Sequence, residues 1–136
     1  MRNLNLIDKA FLLKKTSLFE TLDLDILISI ADKMEPLSFH PSEMIFHAQQ
    51  EGHLMYFILS GEVSIDPPVA HLRAGEFFGD EALFGEKRRG YSARCRTCVD
   101  LLALSRSHIV SIMHECPTVA LSLLESYAAH LPYRKR

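Results

Sequence analysis

The middle of the chain alternates short, β-prone apolar segments with turn-forming residues, and this pattern restricts the fold more than any other feature. The turns contain Pro, Gly, Ser and Gln, as in HPSE, HAQQEGH, SGE and RAGE. Many short strands at this spacing predict an all-β roll or sandwich. The predicted strands, between residues 37 and 104, are LSF, MIF, MYFIL, VSI, VAHL, YSARCRT and VDLLAL.

The two ends of the chain predict helices. Leu6, Ala10 and Leu13 recur at helical spacing, and Asp23 is a suitable N-cap for a second helix that runs to about Lys33 before Pro36. After the strands, Ser105 or Ser107 can cap IVSIMHE, and Pro117 can begin a last helix. That helix carries a broad apolar stripe formed by Val119, Ala120, Leu123, Leu124, Tyr127, Ala128 and Leu131.

These patterns predict a mainly β fold with flanking α-helices. We expect an antiparallel, jelly-roll-like β-roll with N-terminal and C-terminal helices. The 136 residues suit a single domain, 1–136. Its parts are a helical lead-in over 1–35, the β-roll over 37–104 and the C-terminal helices over 105–131.

Composition and charge exclude several classes of protein. The formal net charge is −2, which argues against nucleic-acid binding through net charge. No apolar run approaches the roughly 20 residues of a membrane-spanning helix, so we expect no membrane segment in this chain. Three cysteines, Cys95, Cys98 and Cys116, without a secretory signal predict reduced thiols and a cytoplasmic location.

One segment has the residues for binding a sugar phosphate. Gly79 allows a tight turn and a close backbone approach, and the residues after it can form a helical turn with free N–H groups that favour an anion. Arg89 can return on the next strand with a planar fork of donors for that anion, although a charge run such as Lys87-Arg88-Arg89 usually forms a solvated face. The Asp80 carboxylate suits a sugar hydroxyl.

The chain resembles the cyclic nucleotide-binding domain of bacterial catabolite activators, kinase regulatory subunits and cyclic nucleotide-gated channels. The phosphate-binding cassette of that family, roughly F-G-E-x-A-L, five residues, then R-[S/A/T]-A-[T/S], is similar to residues 78–92. Further motifs also resemble the family: PSEMIF at 41–46, YFILSGEV at 56–63, LRAGEFFG at 72–79 and LLALSR at 101–106.

The resemblance implies a binding role for individual residues. Arg89 would pair with the cyclic phosphate, and the backbone N–H groups of Ala82 and Gly90 would donate to it. Asp80 would accept the ribose 2′-hydroxyl beside Gly79. The family also implies an apolar wall, a lid residue and further residues that modulate the pocket, for which the candidates are Leu83, Val63, Leu72, Tyr127, Tyr91 and Ser92.

Several cassette residues differ from the family pattern. Asp80 is one methylene shorter than the usual glutamate, and Tyr91 stands where a small alanine is usual. Gln49 occupies a position where a turn glycine is common. Gly90 lacks the hydroxyl that favours cGMP in some members, so cAMP is weakly favoured. The alternative is a degenerate cyclic nucleotide-binding fold that acts as a protein–protein interaction module.

We expect a non-catalytic regulatory domain that signals through movement of its C-terminal helix. Cys95 and Cys98 would point to opposite faces of a strand and no H-x-H pair occurs, so neither a metal site nor a cupin-like enzyme is predicted. No cofactor is expected besides the ligand, cAMP or cGMP. The partners would be an effector domain or protein outside this chain and a second copy, bound through the C-terminal helix.

Overall fold

The computed structural model describes residues 4–129. Its helices are α1 (Leu6–Lys14), α2 (Leu24–Asp32), α3 (Glu81–Phe84), α4 (Arg106–Glu115) and α5 (Thr118–Ala129). Its strands are β1 (Glu35–Phe39), β2 (Met44–Phe46), β3 (Leu54–Ser60), β4 (Val63–Asp66), β5 (Ala70–Leu72), β6 (Phe77–Phe78), β7 (Ser92–Cys95) and β8 (Val99–Ser105).

The strands form two antiparallel four-stranded sheets, which confirms the predicted β-roll. One sheet has the order β1-β8-β3-β6 and the other the order β2-β7-β4-β5. Alternate residues of β8, namely Val99, Leu101 and Ala103, lie in one apolar core. The other members of this core are Phe46, Tyr56, Ile58, Val63, Phe78, Ala93 and Cys95.

The described residues divide into two compact units. The strands and α3 form one unit, which extends from Met34 to Arg106. The other unit contains α1, α2 and α5, together with α4 from Ser107 onward. The predicted single domain 1–136 stays a prediction, and Leu131 of the predicted last helix lies outside the described residues.

Three local details differ from or add to the sequence analysis. Pro36 lies inside β1, which tolerates it because β1 is an edge strand, and α2 already ends at Asp32. Asp23 is the N-cap of α2, but its side chain makes no capping hydrogen bond. Strand β6, which pairs with β3 through Phe77 and Phe78, was not predicted because two residues carry no periodicity.

Candidate functional site

Gly79 forms the turn between β6 and α3 in a conformation that favours glycine. Its φ is +80°, in the left-handed region. A β-carbon here would lie 2.9 Å from Nη1 of Arg89 and 3.1 Å from the carbonyl oxygen of Leu54. The glycine therefore permits both the predicted tight turn and the close approach of the arginine.

Arg89 is buried beside this turn, with only 5% of its surface exposed. Nη1 donates to the carbonyl oxygen of Gly79 at 3.0 Å, and Nη2 donates to that of Leu54 at 2.8 Å. The central carbon of the guanidinium lies 4.1 Å from the centre of the Phe46 ring. Nε is buried without a hydrogen-bond partner. The guanidinium is thus held by two neutral carbonyl acceptors and by the face of the Phe46 ring.

The backbone of Arg89 is bonded to the segment between β2 and β3. Its carbonyl accepts from the Gln49 N–H at 2.7 Å, and its N–H donates to the Gln50 carbonyl at 2.8 Å. Ser92 reinforces this pairing, because its hydroxyl oxygen accepts from the Ala48 N–H at 2.9 Å. Ser92 therefore holds the neighbouring loop in this structure, whereas the sequence suggested a place at the pocket.

The positive charge of Arg89 acts on the nearby carboxyl of Glu81, because it partly offsets the rise in the Glu81 pKa that burial and Asp80 cause. Ion pairs on the surface join Asp32 to Lys33 and Glu62 to Arg96. The adjacent Arg88 is exposed, and its Nη1 donates to the Gln49 carbonyl at 3.3 Å. Arg88 is therefore solvated and Arg89 is buried, and the pairing of Arg89 with a phosphate stays a prediction.

Tyr91 bonds to both sides of the glycine turn. Its hydroxyl oxygen accepts from the Gly79 N–H at 2.9 Å, and its hydroxyl donates to Oε1 of Glu81 at 3.0 Å. Its ring centre lies 5.5 Å from that of Phe46. Burial, followed by the nearby charge of Glu81, holds the pKa of Tyr91 far above its ordinary value. The phenol is therefore neutral and acts as a donor at physiological pH.

Glu81 is exposed as a whole residue, but its carboxyl group faces the Tyr91 hydroxyl. Partial desolvation of this carboxyl raises its pKa, and the neighbouring charge of Asp80 raises it further. Glu81 therefore supplies the acceptor for the Tyr91 hydroxyl.

The other residues predicted to bind the nucleotide lie in α3 or at its start, apart from Gly90, which follows Arg89. The Ala82 N–H, predicted as a phosphate donor, donates to the Gly79 carbonyl at a long 3.3 Å. Asp80 is the N-cap of α3 and is 9% exposed, and Leu83 is buried beside Ala82. No heavy atom lies within 4 Å of where a β-carbon on Gly90 would stand, so there is open space at this residue.

Three of the residues predicted to form the apolar wall and the lid lie on other elements: Val63 on β4, Leu72 on β5 and Tyr127 on α5. Val63 is completely buried in the core, and it pairs across the sheet with the half-buried Leu72. Val63 has no exposed surface with which to line a pocket in this conformation. Tyr127 lies on α5, in the helical unit. Its role as a lid stays a prediction.

The sequence did not indicate Gly52, Leu54 and Phe46 as the residues that enclose Arg89. Gly52 carried the one available signal, since it stands in a turn segment where glycine often marks a close approach. The Leu54 carbonyl carried none, because every residue has such an acceptor.

Other chemistry is not indicated by the described residues. Over residues 4–129, no cluster of three or more His, Cys, Asp or Glu side chains could hold a metal ion. In the same range, no helix is both long and apolar enough to cross a membrane. Cys95 is buried, Cys98 is exposed, and both are free thiols.

A β-roll with a buried arginine beside a glycine turn defines a cyclic nucleotide-binding type of domain. The cyclic nucleotide-binding domain family matches residues 36–116, and the chain belongs to this family. The resemblance found in the sequence is thereby confirmed.

The relatives include kinase subunits and channels. The chain is 32% identical over 82 residues to a cAMP-dependent protein kinase regulatory subunit of Emericella nidulans, covering 57% of this chain and 20% of that protein. It is 27% identical over 104 residues to a cyclic nucleotide-gated potassium channel of Mesorhizobium japonicum, covering 76% of this chain and 29% of the channel. The match therefore spans less than a third of either relative.

A solved structure has the same fold. The N-terminal domain of a transcriptional regulator from Streptomyces coelicolor A3(2) superposes with a TM-score of 0.77 at 25% identity. The match covers 86% of this chain and 87% of the other.

Proposed function

We propose that this domain is a non-catalytic sensor that binds a cyclic nucleotide, with cAMP favoured weakly over cGMP. Arg89 pairs with the cyclic phosphate in this proposal. The N–H groups of Ala82 and Gly90 donate to the same phosphate, and Asp80 accepts the ribose 2′-hydroxyl beside Gly79. The absence of a side-chain hydroxyl at Gly90 supports the weak preference for cAMP.

The buried guanidinium of Arg89 beside the Gly79 turn carries this proposal. A buried charge is costly unless it is well paired and hydrogen-bonded, and here the two Nη atoms donate to neutral carbonyls and Nε has no hydrogen-bond partner. An anion that approaches the cassette would pair with this guanidinium. The open space at Gly90, the residue after Arg89, is where such an anion can reach the backbone.

Signalling, in this proposal, passes through α5, with Tyr127 as the lid over the base. Ligand binding can shift the position of α5 only to the extent that the two arrangements differ in affinity. The printed names of the relatives, a kinase regulatory subunit and a gated channel, support a regulatory role. We therefore propose an effector beyond the described residues and self-association through α5.

Calorimetric titration of the chain with cAMP and cGMP tests the proposal. We expect one-site binding, tighter for cAMP, and a stabilisation of about 2.7 kcal/mol at a hundredfold excess over Kd. Arg89→Lys keeps the charge but loses the fork, and it should weaken binding tenfold or more, on the order of one charge-assisted hydrogen bond. Arg88→Lys is the matched control and should bind like the wild type.

The proposal is wrong if a folded sample shows neither heat nor thermal stabilisation with either nucleotide at millimolar concentration. Equal losses of affinity in Arg89→Lys and Arg88→Lys would remove the specific role of Arg89.

One observation favours a second function, a degenerate domain that binds another protein. Tyr91 already satisfies the Gly79 N–H, so part of the cassette is occupied by the protein itself. In that case even Tyr91→Ala, which removes the phenol, would bind no cyclic nucleotide.

A further inference from the structure

The backbone N–H and the backbone carbonyl of Gly79 are each hydrogen-bonded to a side chain from the residues just before β7. Arg89 donates to its carbonyl at 3.0 Å, and Tyr91 accepts from its N–H at 2.9 Å. The arginine is the group that an anion would approach. The phenol is bonded to the N–H of the same residue and lies within electrostatic range of Asp80.

The Tyr91 hydroxyl makes the bonds that a sugar hydroxyl would make at this position. It accepts one hydrogen bond from a backbone N–H and donates one to a carboxylate. A ribose hydroxyl held between the Gly79 N–H and an acidic side chain has the same donor and acceptor pattern. The N–H has a single hydrogen, so the phenol and a ligand hydroxyl compete for it.

Resting on the function proposed above, we propose that Tyr91 is an internal competitor that holds the sugar-hydroxyl position of the cassette. The ligand's 2′-hydroxyl, accepted by Asp80, reaches the Gly79 N–H only after the phenol has released that N–H. The apparent affinity for a cyclic nucleotide is therefore the intrinsic affinity multiplied by the fraction of molecules in which the phenol has released the Gly79 N–H.

The packing of the ring allows the hydroxyl to be tested apart from the side chain. The Tyr91 ring contacts the Phe46 side chain, and the residue is only partly buried. Tyr91→Phe keeps this ring contact and leaves the Gly79 N–H without its partner. If Tyr91 only supports the fold, this variant loses stability and its affinity does not rise.

The test compares cAMP with 2′-deoxy-cAMP in the wild type and in Tyr91→Phe by calorimetry. We expect Tyr91→Phe to bind cAMP at least tenfold more tightly than the wild type, because one hydrogen bond to a charged group changes the affinity by about that factor. In the wild type the two nucleotides should bind within about threefold, because the phenol can stay in place when the ligand lacks the hydroxyl. In Tyr91→Phe the 2′-deoxy analogue should bind about tenfold more weakly than cAMP.

Tyr56→Phe is the matched control, because it removes a phenolic hydroxyl from the same core and leaves the Tyr91–Gly79 bond intact. It should show the wild-type ratio of the two affinities. A second readout needs no ligand: the Gly79 amide should exchange its hydrogen with solvent faster in Tyr91→Phe than in Tyr56→Phe.

The outcomes separate this inference from the proposed function. If the wild type binds cAMP and Tyr91→Phe shows the same affinity and the same ratio, the competition is wrong and the sensor stands. If only Tyr91→Phe binds, the competition is supported and the natural chain is not a sensor. If no folded variant binds, both proposals fail.

Discussion

The guanidinium of Arg89 lies directly against the α-carbon of Gly52. A β-carbon on this glycine would stand 2.2 Å from Nε and 2.3 Å from the central guanidinium carbon. Gly52 is also bonded through its N–H to the Lys87 carbonyl at 2.9 Å, so its backbone cannot simply move away. The absence of a side chain at residue 52 therefore sets the position of the buried charge.

Gly52→Ala should destabilise the protein by roughly 1–3 kcal/mol, the usual cost of forcing extra volume into a packed site. The displaced Arg89 would also lose its bonds to the carbonyls of Gly79 and Leu54. Urea denaturation of both proteins measures the change in the free energy of unfolding.

Gly90→Ala is the control for this substitution. Its β-carbon would meet no heavy atom within 4 Å, and Gly90 is not among the glycines with positive φ. We expect a change within about 0.5 kcal/mol, as for most surface substitutions. Equal effects at Gly52 and Gly90 would contradict the close packing of Arg89.

The sequence was sufficient for the fold. Regular turn signals between short apolar segments predicted the strands, and this prediction succeeded because periodicity is a local property of the chain. Arg89 was distinguished from its basic neighbour Arg88 only by the resemblance of residues 78–92 to the family cassette, and its role toward a phosphate stays a prediction.

The partners of the cassette side chains could not be predicted in this way. Tyr91 stands where the family usually has alanine, but whether its hydroxyl would find partners depends on how β7 approaches α3. Its partners are a backbone N–H twelve residues away and a carboxylate ten residues away. The Leu54 carbonyl is 35 residues from Arg89, and nothing in its side chain marks it.

Ser42 adopts a left-handed backbone that usually belongs to glycine, with φ of 72°. Its N–H donates to the Cys95 carbonyl at 2.7 Å, which fixes the turn. The left-handed region costs a non-glycine residue roughly 1–2 kcal/mol, and glycine loses roughly 0.5–1 kcal/mol more backbone entropy on folding. Ser42→Gly should therefore stabilise the protein by up to about 1 kcal/mol in thermal or urea unfolding.

Ser64→Gly is the matched control for this prediction. Ser64 lies in the extended strand β4, where a glycine has no conformational advantage. This variant should lose roughly 0.5–1 kcal/mol. A loss of stability in Ser42→Gly as well would show that the left-handed turn is not strained.

Because the pKa of Glu81 is raised, ionisation of its carboxyl group should destabilise the folded protein, and this effect should depend on pH. In the folded state the carboxyl group binds a proton more readily than in the unfolded chain, because burial and Asp80 oppose its ionisation. Its contribution to stability is therefore complete below the unfolded pKa and is lost as the pH rises through the folded pKa. Relative to Glu81→Gln, the wild type should lose stability as the pH rises above about 4.5.

Urea denaturation of the wild type and Glu81→Gln at several pH values measures this difference. Glu86→Gln removes the same charge from an exposed position in the same segment, so it corrects for net charge. A stability difference between the wild type and Glu81→Gln that does not change with pH would contradict the prediction.

Two cysteines three residues apart should differ strongly in their reaction with iodoacetamide. Burial, together with the nearby charge of Glu43, raises the pKa of the Cys95 thiol from 9.0 to about 11, while Cys98 is exposed. The thiolate is the reactive form, so the raised pKa slows the reaction of Cys95, and burial in the core limits the access of the reagent further. At pH 7.5 in the native protein, peptide mapping by mass spectrometry should show alkylation of Cys98 long before Cys95. In urea the two rates should converge, and native rates that are already equal would show that Cys95 is not in the core.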